Sequence, residues 1–207
     1  MKAKICGVKD EKTLRFILDH KYPPDFIGFI SNFPKSKRFI EIDKLKYLTN
    51  ISRKNVKFVA VLVDPSDEIL EKIKNFNFDY YQLYDVSPER TKIIRTKYKK
   101  KIITALTIKD KKDVNKYKDY LSISDIFLFD GKGYEKSIGF QHSLLEDLPN
   151  NIEKMIAGDI KYDDNLDNFK KIANIIDLSG SLETGNNKDL KKIDIFLNNL
   201  RELNAKN

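Results

Sequence analysis

Short apolar runs alternate with longer amphipathic segments along the whole chain of 207 residues. The runs are rich in Ile, Val, Phe and Tyr, a composition typical of strands that are buried on both faces. They predict strands near residues 3–8, 26–30, 58–63, 80–83, 102–106, 126–130, 155–158 and 175–180. The segments between them predict helices that begin after Asp10, Ser66 and Ser87, or that lie near residues 42–51, 113–120, 140–145, 166–173 and 190–200.

This repeated order of strand and helix predicts an α/β fold, a (β/α)8 TIM barrel that fills residues 1–207 as a single domain. No change in composition marks a linker, and a polar tail is expected from about residue 203. The carboxyl ends of all strands converge on one face of such a barrel. We therefore expect one mouth to be surrounded by Cys6, Gln82, Asp130, Gly158 and residues 179–183.

The net charge is +8 and the pI is near 9.2, and a basic surface attracts nucleic acid non-specifically. The lysines, however, stand beside Asp or Glu, as in residues 109–113, which is typical of solvated helix faces. No RNP, helix-turn-helix or zinc-finger pattern accompanies them in the sequence. We therefore expect no nucleic-acid partner.

No uninterrupted apolar run approaches the ~18 residues needed to cross a bilayer, and the first residues lead directly into a strand. We expect no membrane association and no secretory signal, and hence a cytoplasmic protein. The single cysteine, Cys6, cannot form an internal disulfide. With His20 and His142 as the only histidines, a zinc site of the usual kind is not available, so no metal is expected.

Several motifs follow one another in an order that can be compared with known enzymes. They are Lys4-Ile5-Cys6-Gly7, Gly28-Phe29-Ile30 with Ser36-Lys37-Arg38, Gln82-Leu83, Phe129-Asp130, Ile156-Ala157-Gly158 and the run from Asp177 to Thr184. In order and spacing they resemble phosphoribosylanthranilate isomerase over the whole chain. The cysteine motif, the serine-x-arginine after the second strand and the eighth-strand motif are specific when taken together.

The resemblance implies an isomerase of tryptophan biosynthesis. Its reaction would be the Amadori rearrangement of N-(5-phosphoribosyl)anthranilate to 1-(2-carboxyphenylamino)-1-deoxyribulose 5-phosphate, without a cofactor. The partner would be this small phosphorylated substrate, and the protein would be a monomer or a homodimer.

By the resemblance, Asp130 is the general acid and Cys6 the general base. Opening the ribose ring needs a proton on the ring oxygen, and moving the double bond needs removal of the proton from C2. The apolar run before Asp130 is expected to raise the pKa of its carboxyl, and positive surroundings are expected to lower the pKa of the Cys6 thiol. Taken alone, Cys6 could be an inert core residue, and Asp130 could cap a helix or pair with Lys132.

Three further residues are predicted at the mouth. Arg38 matches the arginine that holds the anthranilate carboxylate in the family, and a planar guanidinium suits that planar group. Without the family match, Arg38 could be an ordinary surface residue. Gln82 and Asp177 are predicted as other mouth residues, although Gln82 could instead satisfy polar groups of the core.

The substrate phosphate is expected at main-chain N–H groups after the last strands of the barrel, where this sequence departs from the family. A loop over residues 131–140 stands where the family carries a glycine-rich loop, and Asp159 stands where it has a glycine. Tyr84 and Asp85 stand where it has a histidine and a glycine. We hypothesise that phosphate binding involves Lys136, Ser137, Gly158, Gly180 and Ser181. A carboxylate at position 159 would repel the phosphate unless it turns away or pairs with Lys161 or Lys136.

Two other functions stay open at the level of the sequence. The altered phosphate loops also suit a barrel that acts on another phosphosugar, which would turn over such sugars but not N-(5-phosphoribosyl)anthranilate. A barrel that has lost catalysis could serve as a binding protein, and it would place Cys6 and Asp130 too far apart to flank one sugar.

The variant Lys136→Ala tests the phosphate hypothesis. Because the ammonium group would replace lost N–H donors, the variant is expected to bind the phosphorylated substrate more weakly than the parent in a direct titration. Equal affinities of the two proteins would contradict the hypothesis.

Overall fold

The computed structural model describes residues 1–131 and 139–206, in which parallel strands close into a barrel in chain order. The strands are β1 (Lys2–Cys6), β2 (Phe26–Ile30), β3 (Lys57–Val63), β4 (Tyr80–Tyr84), β5 (Lys101–Thr107), β6 (Ile126–Asp130), β7 (Lys154–Ile156) and β8 (Ile175–Leu178). β1 pairs with both β2 and β8, which completes the ring. The (β/α)8 TIM barrel predicted from the alternating pattern is thus confirmed.

Helices connect the strands. The α-helices are α1 (Glu11–Asp19), α2 (Ile42–Thr49), α3 (Asp67–Ile73), α4 (Pro88–Tyr98), α5 (Lys111–Asn115) and α6 (Leu190–Ala205). The 3-10 helices are Lys116–Tyr120, His142–Leu145, Leu166–Phe169 and Gly180–Leu182, and Glu183–Thr184 pairs with Asn187–Lys188 as a short antiparallel ladder. Side chains of Asp10, Ser66 and Ser87 accept N–H bonds at the starts of α1, α3 and α4. None of the helices in the described ranges is long and apolar enough to span a membrane.

Some helices differ in length from their predictions. The patterns near 140–145 and 166–173 predict α-helices, but each segment forms a 3-10 helix of 4 residues. Leu166 and Phe169 lie three positions apart, which suits a 3-10 turn. At the C-terminus α6 continues to Ala205 because Leu203 is buried, so the expected polar tail from about residue 203 is largely helical.

Alternate residues of the strands face two apolar layers. One layer packs between strands and helices, and it includes Phe29, Phe58, Tyr81, Phe129 and Phe196. The other fills the barrel interior, and it includes Val59, Val61, Ile103, Leu128, Met155 and Ile175. Because most strand residues are buried on both faces, the strands appear in the sequence as nearly continuous apolar runs.

An ion pair joins the first and last strands inside the barrel. Lys4 of β1 is fully buried, and its Nζ lies 2.6 Å from Oδ2 of Asp177, the residue opposite it on β8. Burial lowers the pKa of Lys4, but the negative charges of Asp177 and Cys6 outweigh burial, so the pKa is raised overall. Lys4 therefore keeps its positive charge in the interior.

A glycine on β2 makes room beside this ion pair. Gly28 lies opposite Cys6 in the strand register. A Cβ at this position would lie 2.9 Å from Sγ of Cys6 and 3.1 Å from Nζ of Lys4, which is too close without a shift of those groups. Lys4 and Cys6 therefore share one crowded space that only glycine leaves open.

Replacing Lys4 by Met should destabilise the protein strongly. The carboxylate of Asp177 would remain buried without its partner, which costs about 3–5 kcal/mol in the free energy of unfolding. Urea unfolding of Lys4→Met, Lys4→Met with Asp177→Asn, and the parent measures this cost. The second substitution should recover part of the loss, whereas Lys54→Met, which removes an exposed ion pair with Asp19, should change little. Unchanged stability of Lys4→Met would contradict a charged interior pair.

Candidate active site

The carboxyl ends of four strands bring ionisable side chains to one mouth. Cys6, Tyr84 and Asp130 are the last residues of β1, β4 and β6, and Asp177 lies one residue before the end of β8. Burial raises the pKa of Tyr84 well above its ordinary value, and Asp130, Asp177 and Cys6 raise it further. The phenol of Tyr84 therefore interacts with all three groups. The structure brings together the predicted residues Cys6, Asp130 and Asp177.

Asp130 is a buried carboxyl with a raised pKa. Only 7% of the residue is exposed, and Oη of Tyr84 donates a hydrogen bond to its Oδ2 at 3.0 Å. Burial raises the pKa to about 7, and the charge of Asp177 acts in the same direction, while Tyr84, Lys4 and the N–H of Gly131 oppose it. A large fraction of the molecules therefore carries a protonated Asp130 near neutral pH.

Cys6 is equally buried, with 7% of the residue exposed. Burial raises the pKa of its thiol, Asp177 raises it further, and Lys4 and Lys188 lower it only in part. The expectation that positive surroundings lower the pKa of Cys6 is therefore wrong for the free protein. Two ammonium groups are present, but the loss of water around the thiolate outweighs their charge. The thiolate is consequently a minor species at neutral pH.

The second ammonium group comes from the antiparallel ladder after β8. Nζ of Lys188 donates to the carbonyl oxygen of Ser179 and to Oε1 of Glu183, both at 2.9 Å. Oγ of Ser179 in turn donates to the carbonyl oxygen of Cys6 at 3.0 Å. Burial lowers the pKa of Lys188 to about 8, although Glu183 acts against this. Lys188 is thus connected through Ser179 to the backbone of Cys6 by hydrogen bonds.

Arg38 is held by a carboxylate at the same rim. Its Nε donates to Oε1 of Glu183 at 2.5 Å and its Nη2 to Oε2 at 2.9 Å, a bidentate contact. Burial alone would raise the pKa of Glu183, but Arg38 and Lys188 lower it to about 2. The stem of Arg38 packs on Gly7, where φ is +75° and a Cβ would lie 2.3 Å from Cδ of the arginine. Both the positive φ and the close approach of Arg38 therefore require glycine at position 7.

Gln82 does not lie at the mouth, contrary to its prediction. β4 extends to Tyr84, one residue beyond its predicted end, so Gln82 lies a full side-chain layer deeper in the barrel. It is fully buried, opposite Val61 and Ile103 on the neighbouring strands. Neither its amide nitrogen nor its amide oxygen has a hydrogen-bond partner within residues 1–131 and 139–206. The alternative prediction, that it satisfies polar groups of the core, also fails in this part of the chain.

The predicted phosphate residues fall into two groups. Gly158 is buried after β7 with φ +90°, and Gly180 and Ser181 lie in the 3-10 helix after β8. Oγ of Ser181 is buried and unpartnered among the described residues. Lys136 and Ser137 lie outside the described residues.

Asp159 carries the carboxylate that would repel a bound phosphate. The residue is exposed, with φ +53°. Within the described residues its charge acts on His142, and no ion pair joins it to Lys161. Gly139 packs closely against it, since a Cβ on that glycine would lie 2.6 Å from Cβ of Asp159.

These groups allow proton transfer and anion binding. A carboxyl with a pKa near neutrality, a thiol, two ammonium groups and a guanidinium surround the mouth. The ranges 1–131 and 139–206 contain no cluster of His, Cys, Asp and Glu side chains that could hold a metal ion.

Comparison with known proteins gives this site its context. The family model described as N-(5'phosphoribosyl)anthranilate (PRA) isomerase matches residues 3–199. The chain belongs to this family. A PRA isomerase of Rhizobium rhizogenes is 34% identical over 214 residues, which cover 96% of this chain and 93% of that protein. A PRA isomerase of Rhizobium leguminosarum bv. trifolii is also 34% identical, over 98% of this chain and 95% of its own.

Solved PRA isomerases share the fold. The enzyme of Thermotoga maritima superposes with a TM-score of 0.86 at 21% identity, over 98% of this chain and 99% of that chain. A PRA isomerase in complex with reduced 1-(o-carboxyphenylamino)-1-deoxyribulose 5-phosphate gives a TM-score of 0.83 at 20% identity, with the same coverage. The family inferred from the motifs, an isomerase of tryptophan biosynthesis, is thus confirmed.

Sequence reasoning found residues of this PRA isomerase mouth but missed those that surround them. Lys4 interrupts an apolar strand, and a charge in such a position is costly unless it is paired, so this was a usable signal of a buried ion pair. Tyr84 stands out in the sequence only as a departure from the family. Lys188 gave no signal, because it is one of many lysines in a charged segment.

Asp130→Asn should stabilise the protein at alkaline pH. The folded-state pKa of about 7 lies above the unfolded value of about 3.9, so the folded state holds the proton more tightly. Stability from this group is present below pH 4 and is lost as the pH rises to 7. The stability of Asp130→Asn relative to the parent should therefore increase by about 4 kcal/mol between pH 4 and pH 8.

Urea unfolding of both proteins at the two pH values measures this difference. Asp147→Asn is the control, because that carboxyl is exposed and Lys111 lowers its pKa. The control should show no such gain. A pH-independent difference between Asp130→Asn and the parent would contradict the raised pKa.

Proposed function

We propose that this protein converts N-(5-phosphoribosyl)anthranilate to 1-(2-carboxyphenylamino)-1-deoxyribulose 5-phosphate by general acid–base catalysis, with Asp130 as acid and Cys6 as base. One observation carries the proposal: burial keeps the pKa of Asp130 at about 7, at the same mouth as the single cysteine of the chain. A carboxyl with an ordinary pKa would have lost its proton at neutral pH. Tyr84 interacts with both groups, which supports a single ligand site for them.

The two groups act on different atoms of the substrate. Asp130 gives its proton to the ribose ring oxygen as the bond from that oxygen to C1 breaks, and the nitrogen lone pair forms a C=N bond. The thiolate of Cys6 then removes the proton from C2, and the electron pair moves through C1 to the nitrogen. The resulting enol tautomerises to the ketone. Substrate and product are isomers, so the reaction balances without a co-reactant.

The pKa values determine how much of the free protein is ready to react. The reactive form carries a protonated Asp130 and an ionised Cys6, yet the pKa of Asp130 lies below that of Cys6. This form is therefore a minor fraction at every pH. Between the two pKa values, each gain in thiolate is cancelled by a loss of protonated carboxyl. The profile of kcat/KM should thus fall below about pH 7, the limb that marks Asp130, and fall again above the pKa of the thiol.

Arg38 is proposed to bind the anthranilate carboxylate. Glu183 occupies its Nε and Nη2, so a ligand carboxylate would be met by Nη1. The bidentate contact fixes the plane of the guanidinium before the ligand arrives, which reduces the entropy lost on binding. Glu183 also binds Lys188, so one carboxylate positions two cations of the mouth.

The phosphate end of the substrate is proposed to lie near Gly158, Gly180 and Ser181. The left-handed backbone of Gly158 and the unpartnered hydroxyl of Ser181 support this placement. Lys136 and Ser137 remain part of the proposal. The proposal requires the carboxylate of Asp159 to turn away from the phosphate, and the exposure of this residue leaves room for that orientation.

The assembly and location of the protein stay predictions, as a monomer or homodimer in the cytoplasm. The Thermotoga maritima PRA isomerase is described as dimeric. Analytical ultracentrifugation of the parent protein distinguishes the two assembly states.

Cys6→Ser and Asp130→Asn test the assigned roles. Each substitution removes one proton-transfer group, so kcat should fall by about 10²–10⁴-fold. The fluorescence decrease of phosphoribosylanthranilate measures the rate. Asp147→Asn, which changes an exposed carboxyl, should keep the parental rate.

Parental turnover in either variant would remove that residue from its role. If the parent turned over other phosphosugars but not phosphoribosylanthranilate, the barrel would be a different isomerase. Circular dichroism spectra of all variants check that a lost rate does not reflect a lost fold.

A further inference from the structure

Tyr84 contacts the carboxyl of Asp130 directly. It ends β4 with its side chain in the barrel interior, where 4% of the residue is exposed. Its Oη donates to Oδ2 of Asp130 at 3.0 Å, a hydrogen bond that is itself buried. A carboxyl can carry its proton on either oxygen, and an oxygen that accepts a hydrogen bond from a phenol is the poorer place for that proton.

The phenol is suited to this contact because it does not titrate near neutral pH. Burial and the negative charges of Asp130, Asp177 and Cys6 raise its pKa well above the ordinary value. Tyr84 therefore remains a neutral donor over the whole range in which Asp130 titrates. A histidine, the residue of the family at this position, can become charged in that range or take up the proton itself.

We propose that Tyr84 is a positioning residue for Asp130: its hydroxyl binds Oδ2 and thereby assigns the transferable proton to Oδ1. This inference rests on the proposed function, because it concerns the proton that Asp130 gives to the substrate. A proton confined to one oxygen of an oriented carboxyl is presented to the ligand in one geometry, which is what efficient transfer requires.

Other charged groups also act on Asp130, and their contributions must be separated from that of Tyr84. Asp177 of β8 raises the pKa of Asp130, whereas Lys4 of β1 and the N–H of Gly131 lower it. The hydroxyl of Tyr84 lowers it as well, because the hydrogen bond stabilises the carboxylate. Removing this hydroxyl alone should therefore raise the pKa of Asp130 and leave the other groups in place.

Tyr84→Phe tests the proposal, and Tyr81→Phe is the matched control. Tyr81 lies on the same strand, is fully buried on the helix-facing side, and its hydroxyl has no hydrogen-bond partner in the described ranges. Tyr84→Phe should lower kcat by about tenfold, the effect of one lost hydrogen bond. It should also move the kcat/KM limb near pH 7 to higher pH. Tyr81→Phe should do neither.

Carboxyl 13C NMR of the free proteins gives a readout that is independent of turnover. The Asp130 resonance, assigned by its loss in Asp130→Asn, should titrate at higher pH in Tyr84→Phe than in the parent and Tyr81→Phe. An unchanged titration together with an unchanged kcat would overturn the inference. If Tyr84→Phe does not fold, 3-fluorotyrosine at position 84 provides a stronger donor, and it should move the Asp130 titration to lower pH. No movement would again overturn the inference.

The outcome also separates this inference from the proposed function. If Asp130→Asn retains the parental kcat, Asp130 is not the acid, and the proposed function and this inference fall together. If Asp130→Asn loses activity while Tyr84→Phe keeps both kcat and the titration of Asp130, only the role of Tyr84 is overturned.

Discussion

The ion pair between Lys4 and Asp177 joins β1 to β8, and the ionisable groups of the mouth respond to it. Lys4 lowers the pKa of Cys6 and of Asp130, while Asp177 raises both. The pair therefore adds little net charge to the interior. It nevertheless places both a positive and a negative charge near Cys6 and near Asp130. Without it, the pKa of Cys6 would respond to burial and Lys188, and that of Asp130 to burial, Tyr84 and the N–H of Gly131. An ion pair between the two strands that meet at the closure of the barrel thus also contributes to the electrostatics of the site.

Burial has opposite consequences for the two candidates. It gives Asp130 the raised pKa that a proton donor needs, but it also raises the pKa of Cys6, which a proton acceptor does not need. Lys4 and Lys188 compensate only in part for the thiol. Keeping ionisable side chains away from water lowers the free energy of unfolding. The apolar layers on both sides of the strands offset this loss.

The sequence was sufficient for the barrel and for the placement of Cys6, Asp130 and Asp177, because strand order and alternation fix which residues meet at one rim. It was insufficient where one residue of strand length matters: β4 is longer than its pattern suggests, and Gln82 moves from the mouth to the interior. Pairings between distant segments were also inaccessible. Local sequence patterns predict neither the ion pair between Glu183 and Arg38 nor the direction of the pKa shift of Cys6. Both depend on which groups the fold brings close together.

Gly28 shows that the chemistry of this barrel depends on the space available between side chains of neighbouring strands. An absent methyl group on β2 is what allows a long cationic side chain and a sulfur atom to occupy neighbouring positions on β1. Substitutions at these three sites should therefore be coupled: a larger residue on β2 should fit better once the lysine or the cysteine has been replaced by a smaller residue. Engineering that aims to give this scaffold another reaction would have to redesign the three positions as one unit.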